Sequence, residues 1–289
     1  MSWQEWVSGG AVLTDGAWGT ELQKRGLGLE ECPDAWNLSH PEEVGDVARA
    51  YRVAGSRVIL TNTFRANPIS LAGYGLVDRC AEINRAGVEI SRKAAGSGLV
   101  FASIGPSGKL LAAGDVTEDG LFAAFSAQAR ALAIGGPDAL LIETFSELEE
   151  AIIALRAAKT TGLPVIVSFA FDTGKNKDRT MTGVTPEQAA KAMTASGADA
   201  VGANCGIGIE QLVGVCRRMR AATHLPLWMK PNAGLPEVVD GAVRYRIEAG
   251  QFAALVPALR EAGATFIGGC CGTDPQFIRS AAAALGPCA

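Results

Sequence analysis

Residues 139–171 read ALLIETFSELEEAIIALRAAKTTGLPVIVSFAF, and this stretch decides the predicted fold. An apolar run predicts a strand over Ala139–Thr144, an Ala-rich pattern predicts a helix over Glu147–Thr161, and a second apolar run predicts a strand over Pro164–Phe171. Both strands are almost continuously apolar, which is typical of a parallel sheet covered on both faces. The stretch therefore predicts one strand–helix–strand unit of an α/β protein.

The same alternation runs along the rest of the chain. Six further strands are predicted at Ala11–Asp15, Arg57–Thr63, Leu99–Ile104, Ala198–Asn204, Leu225–Lys230 and Thr265–Gly269. Seven further helices are predicted at Pro41–Ala54, Asp78–Ala95, Glu118–Gly135, Pro186–Ser196, Ile209–Ala222, Gly250–Glu261 and Pro275–Ala284.

Eight strands alternating with eight helices predict a (β/α)8 TIM barrel, with an open doubly wound sheet as the alternative. Two polar stretches, Thr173–Thr182 and Gly234–Arg246, are predicted to be long loops. Because no linker or low-complexity stretch divides the chain, we expect residues 1–289 to form a single barrel domain.

Composition and charge limit the class of partner. Of the 289 residues, 48% are apolar and 19% are charged, and the formal net charge is −4. No basic patch stands out, so neither nucleic acid nor an anionic membrane is an expected partner. The chain has no apolar run long enough to span a bilayer and no secretory signal pattern. Seven cysteines, an odd number, favour a reducing compartment, and the cytoplasm is the expected location.

The predicted strand ends differ from the strand interiors. In a barrel of this kind, the active site lies at the C-terminal ends of the strands. There the chain places polar and glycine-rich segments: Asp15-Gly16, Asn62-Thr63-Phe64, Gly105-Pro106-Ser107-Gly108, Glu143-Thr144-Phe145, Gly202-Ala203-Asn204-Cys205, Lys230-Pro231-Asn232 and Gly269-Cys270-Cys271-Gly272. Polarity at one end of the strands predicts a functional rim.

Three cysteines lie at these ends: Cys205 after the sixth strand, and Cys270 and Cys271 after the eighth. Zn²⁺ prefers thiolates in tetrahedral geometry, and three protein ligands leave a fourth position for a substrate. Adjacent strand residues point to opposite faces, so ligation by both Cys270 and Cys271 requires a departure from strand geometry, which the flanking glycines permit. The trio predicts a catalytic zinc site, with Asn204 as a candidate for orienting a ligand. Burial as small apolar side chains is the alternative.

Several of these segments, taken in order, resemble one family. They are Asp15-Gly16-Ala17 with Gly19-Thr20, Asn62-Thr63-Phe64, Glu143-Thr144-Phe145, Gly202-Ala203-Asn204-Cys205 and Gly269-Cys270-Cys271-Gly272. Together they resemble the zinc-dependent homocysteine S-methyltransferases over nearly the whole chain. Two more segments, Gly105-Pro106-Ser107-Gly108-Lys109-Leu110 and Pro231-Asn232-Ala233-Gly234-Leu235-Pro236, look most like the homocysteine domain of cobalamin-dependent methionine synthase.

The resemblance implies that Cys205, Cys270 and Cys271 hold Zn²⁺ and that the sulfur of homocysteine becomes the fourth ligand. The metal would generate a thiolate at neutral pH and orient it toward a methyl group, giving methionine. No catalytic residue beyond the zinc site is expected. A non-catalytic zinc scaffold is the alternative from another class, and it requires a fourth ligand, such as Cys32 or Cys288. A barrel enzyme for a phosphorylated substrate would leave the cysteines unexplained.

The resemblance also implies roles for residues around the rest of the substrate. Asp15 and Glu143 match the positions where the family places carboxylates near the substrate amino group. An ammonium group needs two or three acceptors, which two carboxylates can supply. Asn62, Thr63 and Ser107 are candidates for shaping the pocket or binding the substrate carboxylate.

The methyl donor is open at this point. A cobalamin-binding module carries a histidine in an Asp-x-His-x-x-Gly loop, and no such motif occurs in the chain. The resemblance to methionine synthase therefore implies a methylcorrinoid (cobalamin) protein supplied in trans, or a chain that is one module of a longer enzyme. A small-molecule donor, S-methylmethionine or betaine, is the alternative. A related thiol as acceptor is a further alternative.

Overall fold

The protein is built around eight parallel strands, as described by a computed structural model for residues 2–239 and 242–286. The strands are β1 (Val12–Leu13), β2 (Val58–Leu60), β3 (Leu99–Ile104), β4 (Ala139–Phe145), β5 (Val165–Phe169), β6 (Ala200–Gly208), β7 (Leu227–Asn232) and β10 (Ala264–Ile267). Between β7 and β10, the strands β8 (Pro236–Val239) and β9 (Ala242–Tyr245) pair as an antiparallel hairpin.

The eight parallel strands close on themselves. Their order is β1-β10-β7-β6-β5-β4-β3-β2, so β1 and β2 are the two edges of the sheet. A parallel bridge joins Thr14 to Val58, and the Arg57 N–H donates to the Leu13 carbonyl at 2.8 Å. These contacts join the edges, which confirms the predicted barrel and excludes the open doubly wound sheet.

Helices connect the strands and cover the barrel. The longer ones are α4 (Pro41–Ala54), α6 (Cys80–Ala95), α7 (Glu118–Ile134), α8 (Leu148–Lys159), α9 (Pro186–Ala195), α10 (Ile209–Ala222), α11 (Ala249–Glu261) and α12 (Pro275–Leu285). The shorter ones are α1 (Trp3–Ser8), α2 (Gly19–Gln23), α3 (Trp36–Ser39) and α5 (Pro68–Ala72), with 3₁₀ turns at Pro33–Ala35 and Val77–Arg79. In the described part of the chain, none of the helices is long and apolar enough to cross a bilayer.

The sequence pattern misses the short helices α1, α2, α3 and α5 and the β8–β9 hairpin. Helix α1 is absent from the prediction, and the hairpin of β8 and β9 lies inside the stretch predicted as a loop, so that loop prediction is wrong. Asp240-Gly241, between two valine-containing runs, is a sequence signal for a hairpin. The other predicted loop, Thr173–Thr182, contains only the isolated bridge between Thr173 and Arg179.

The interior of the barrel is apolar near the N-terminal ends of the strands. One buried cluster draws side chains from all eight strands: Val12, Val58, Leu60, Leu99, Phe101, Ala139, Leu141, Ile166, Ala200, Trp228 and Phe266. The Trp228 ring lies 5.9 Å from that of Phe101 and 5.4 Å from that of Phe266. Helix α1 closes this end, because Trp3 and Trp6 pack against Phe101. We call this cluster the lower layer.

Candidate active site and metal centre

Polar side chains replace apolar ones nearer the C-terminal ends of the same strands. Inward-facing positions recur every second residue, so Phe101 is followed by Ser103, Leu141 by Glu143 and Trp228 by Lys230. We call this set, together with Asp15 beside Lys230, the upper layer: Asp15, Ser103, Glu143, Ser168, Asn204, Lys230 and Cys270. Hydrogen bonds link several of its members, including Ser103 to Glu143 at 2.5 Å and Ser168 to Asn204 at 2.6 Å.

The three predicted cysteines meet beside the upper layer. The Sγ atoms of Cys205, Cys270 and Cys271 all lie within 4.8 Å of one another, and those of Cys205 and Cys271 are 3.7 Å apart. Tetrahedral zinc with Zn–S bonds of about 2.3 Å separates its sulfurs by about 3.8 Å. Within the described residues, no other group of three or more His, Cys, Asp or Glu side chains converges in this way. The donor atoms and their spacing fit a zinc ion.

The backbone departs from regular strand geometry to bring these thiols together. Cys205 has φ of +61°, and the pairing of β6 with β7 shifts register between Asn204 and Gly208. This bulge turns Cys205 toward the same side as its neighbour Asn204. Cys270 and Cys271 follow the end of β10 in a turn closed by Thr273, whose N–H donates to the Cys270 carbonyl at 3.1 Å. The departure from strand geometry expected at Cys270 and Cys271 is confirmed, and another is found at Cys205.

Asn204 fixes the position of this centre. Its Oδ1 accepts from the Thr144 N–H at 2.9 Å and from the Ser168 hydroxyl at 2.6 Å. Its Nδ2 donates to Thr144 Oγ1 at 2.7 Å and lies 3.9 Å from Cys270 Sγ. Thr144 has φ of +66°, a left-handed conformation that is uncommon for a threonine. The amide therefore ties β4, β5 and β6 to one of the cysteines.

Crowding and burial raise the pKa values of the clustered thiols. The hydrogen bond with Cys270 lowers the pKa of Cys205, but the hydrogen bond with Cys271, burial and the nearby thiolate charge raise it to a net value of about 12. Cys271 has a net pKa of about 12, because Cys270 and burial outweigh the lowering by Cys205. Three thiolates crowded in a partly buried site repel one another, and a divalent cation would offset that repulsion.

The two carboxylates expected near a substrate amino group differ in the number of hydrogen bonds that they accept from the protein. Asp15 is fully buried; its Oδ1 lies 2.5 Å from Lys230 Nζ, and its Oδ2 accepts from Trp18 Nε1 at 2.8 Å and from the Leu60 N–H at 2.7 Å. Glu143 accepts from the Ser103 hydroxyl at 2.5 Å. Burial raises the pKa of Glu143, although Lys230 and the Ser103 hydrogen bond lower it in part.

The other predicted substrate residues make contacts within the protein. Asn62 Nδ2 donates to the Pro33 carbonyl at 2.7 Å, and Thr63 Oγ1 donates to the Ser103 carbonyl at 2.7 Å. The N–H and hydroxyl of Ser107 both donate to Glu150 Oε1, at 2.8 and 2.6 Å. These bonds link the rim loops to one another, and the substrate-binding roles of Asn62, Thr63 and Ser107 stay predictions.

Two residues at the site were given no role from the sequence. Lys230 is buried at the end of β7, and its place two residues after Trp228 in an otherwise apolar strand is the signal for an inward-facing lysine. Tyr245, at the end of β9, is hydrogen-bonded to Cys271. A Cβ on Gly272, which has φ of +81°, would lie 2.3 Å from the Tyr245 ring, so only glycine fits there.

Cys32, one of the two cysteines suggested as a fourth ligand, does not join the trio. Cys32 is buried with Ala66, Leu71 and Cys80, and its Sγ lies 4.0 Å from Asp34 Oδ2. It is not part of the converging group, and Cys288 lies outside the described residues. The described residues thus provide three sulfur donors beside a polar interior, which is the arrangement of a site with an open position.

Comparison with known proteins agrees with this geometry. The family model "Homocysteine S-methyltransferase" matches residues 12–285. Methionine synthase of Mycobacterium leprae is 31% identical over 294 residues, covering 96% of this chain and 24% of that protein. Methionine synthase of Mycobacterium tuberculosis is 32% identical over 291 residues, covering 95% of this chain and 24% of that protein. The chain thus spans about a quarter of the length of these curated relatives.

A solved structure extends the similarity to the fold. The homocysteine methyltransferase MmuM from Escherichia coli, crystallised in a metallated form, superposes with a TM-score of 0.78 at 27% identity, covering 93% of this chain and 94% of that one. The matched range, residues 12–285, includes every barrel strand and all three converging cysteines. The chain belongs to the homocysteine S-methyltransferase family.

Proposed function

We propose that the chain is a zinc-dependent methyltransferase that transfers a methyl group to the thiolate of homocysteine and forms methionine. The observation that carries the proposal is the convergence of Cys205, Cys270 and Cys271 within 4.8 Å at the polar end of the barrel. Zn²⁺ held by these three side chains would leave one position open and would keep an incoming thiol ionised at neutral pH.

The protein's own groups then bind and orient the acceptor. Glu143 supplies carboxylate oxygens for the substrate ammonium group, whereas Asp15, the other predicted carboxylate, is paired with Lys230. Asn62, Thr63 and Ser107 line the pocket around the substrate carboxylate. Asn204 holds the cysteines in position through its contact with Cys270. The apolar lower layer excludes water from below, which strengthens electrostatic interactions in the site.

The methyl transfer itself needs no general base, because the attacking sulfur is already a thiolate. The thiol proton is released to solvent water when the acceptor binds as a thiolate. The sulfur then donates an electron pair to the methyl carbon of the donor, and a carbon–sulfur bond forms. The bond between the methyl group and the donor breaks, and its electron pair stays with the donor.

We propose a methylcorrinoid protein, acting in trans, as the methyl donor. The 31–32% identity to two methionine synthases, of which this chain matches 24%, supports this donor. The Pro231-Asn232-Ala233-Gly234 segment at the end of β7 supports it as well, through its resemblance to methionine synthase. The alternative is a small-molecule donor, S-methylmethionine or betaine, which is kept open by the similarity to MmuM, a protein named as a homocysteine methyltransferase.

An assay with separated donors tests the proposal. Zinc-loaded protein and homocysteine are incubated with methylcobalamin bound to a corrinoid protein, with S-methylmethionine or with betaine, and methionine is quantified. We expect product from the corrinoid donor alone. Methionine formed from S-methylmethionine alone would contradict the corrinoid donor, and no methionine from any donor would contradict the methyltransferase itself.

A further inference from the structure

Lys230 is a buried cation to which the proposed reaction assigns no task. Its side chain is 2% exposed, and its Nζ lies 2.5 Å from Asp15 Oδ1 and 5.7 Å from the centroid of the Trp228 ring. Lysine is rarely buried without a partner, because taking an ammonium group out of water is costly. The partner here is Asp15, 215 residues away in the chain.

Asp15 is nearly saturated by groups of the protein. Its Oδ1 accepts from Lys230, and its Oδ2 accepts from the Leu60 N–H and the Trp18 indole. A carboxylate offers about four acceptor positions, so these three bonds leave little room for a substrate. The ion pair with Lys230 also compensates the negative charge of Asp15.

Glu143 is different, although it lies in the same layer. It accepts from the Ser103 hydroxyl, and the charge of Lys230 acts on it from a distance. Among the described residues, no cation forms a salt bridge with Glu143. Two carboxylates and one ammonium group therefore leave one uncompensated negative charge in the upper layer. Three thiolates around Zn²⁺ are also negative in sum, so the metal centre would not compensate it.

We propose that Lys230 is a positioning residue that neutralises Asp15 and thereby reserves Glu143 for the ammonium group of the acceptor amino acid. The inference rests on the proposed function, because it takes homocysteine as the acceptor. Without the Asp15 carboxylate, Lys230 would pair with Glu143 instead and occupy the place that the substrate ammonium group needs.

A charge-balance experiment tests this role. Zinc-loaded wild type, Asp15→Asn and the double variant Asp15→Asn/Lys230→Met are titrated by calorimetry with L-homocysteine and with 4-mercaptobutanoate, which lacks the amino group. Asp15→Asn should weaken homocysteine binding about tenfold or more, since Lys230 would then pair with Glu143 and compete with the substrate ammonium group. The double variant should bind homocysteine within about threefold of wild type, since the two changes are coupled and compensate. Binding of 4-mercaptobutanoate should be the same in all three proteins.

Zinc content and circular dichroism establish that each variant is folded and metal-loaded. If the folded double variant binds homocysteine as weakly as Asp15→Asn, charge balance is not the role of Lys230, and the inference fails. If the double variant does not fold, Glu143→Gln provides the test instead. This substitution should abolish the preference for homocysteine over 4-mercaptobutanoate. A retained preference would contradict the inference. A zinc-loaded wild type that binds neither thiol contradicts the proposed function itself.

Discussion

The lower layer of the barrel packs the rings of Phe101, Trp228 and Phe266 against one another, whereas two residues higher the same strands carry Ser103, Lys230 and Gly268. The apolar half stabilises the fold, because burying apolar side chains is favourable by roughly 25 cal/mol per Å². In the polar half, the burial of Asp15 and Lys230 is unfavourable by itself, and the contact between the two charged groups offsets that cost. The same strands thus carry an apolar half that stabilises the fold and a polar half that carries the site. Substitutions in the lower layer should therefore change stability, and substitutions in the polar half should change zinc binding and methyl transfer.

The largest effect should come from removing one thiol of the metal centre. Cys271→Ala should abolish zinc retention and methyl transfer, because two cysteines cannot hold the ion as three do. Metal analysis of dialysed protein measures the effect. Cys216→Ala is the matched control, since Cys216 is buried on α10 against the Leu259 and Ala262 carbonyls and should leave zinc stoichiometry unchanged. Full zinc and full activity in Cys271→Ala would refute the assignment of the site.

The second effect concerns the lower layer. Phe101→Ala should reduce the free energy of unfolding by about 3–5 kcal/mol, as expected for a fully buried phenylalanine. The folded fraction should bind zinc as tightly as wild type, because the cavity forms below the site. Urea unfolding followed by circular dichroism, with zinc titration of folded protein, gives both values. Phe122→Ala, at a partly buried position outside the barrel, should cost less. Loss of zinc from folded Phe101→Ala would contradict the claim that the lower layer affects stability but not zinc binding.

A smaller effect is expected at the amide that joins three strands to a cysteine. Asn204→Ala removes the hydrogen bonds to Thr144 and Ser168 and the contact with Cys270, so zinc affinity should fall about 10- to 100-fold. Competition with a chromogenic chelator measures that affinity. Asn84→Ala is the control, because this buried amide bonds to the Ala66 and Cys80 carbonyls. Loss of zinc affinity in both variants alike would show a general effect of unfolding.

The smallest effect should follow the loss of one hydroxyl group. Tyr245→Phe removes the hydrogen bond to Cys271 but keeps the ring that packs on Gly272. A single hydrogen bond contributes about 0.5–1.5 kcal/mol, so zinc affinity should fall about two- to tenfold, with unchanged stability. The same chelator competition measures it. Tyr74→Phe, at an exposed tyrosine, should leave zinc affinity unchanged. An equal loss of zinc affinity in Tyr74→Phe would contradict a specific role of Tyr245 at the site.

The sequence predicts the barrel well because buried parallel strands are continuous apolar runs. The bounds of Leu99–Ile104 and of the helices Pro41–Ala54 and Ile209–Ala222 are predicted as observed. Helix α1 is missed because six residues give too little periodicity, yet its Trp3 and Trp6 close the lower layer.

The convergence of the cysteines is also predictable, because the C-terminal ends of parallel strands meet on one face of a barrel. The left-handed backbone at Cys205 and Thr144 is not, since residues other than glycine rarely adopt it. The pairing of Lys230 with Asp15 joins residues 215 positions apart, and no local pattern encodes such a contact.

Zinc X-ray absorption spectroscopy with and without homocysteine tests the central claim most directly. Cys205, Cys270 and Cys271 should give the resting protein a shell of three sulfurs and one oxygen or nitrogen. Adding homocysteine should convert it to four sulfurs. A four-sulfur shell before homocysteine is added, or a shell that stays unchanged afterwards, would contradict a catalytic zinc site with an open position.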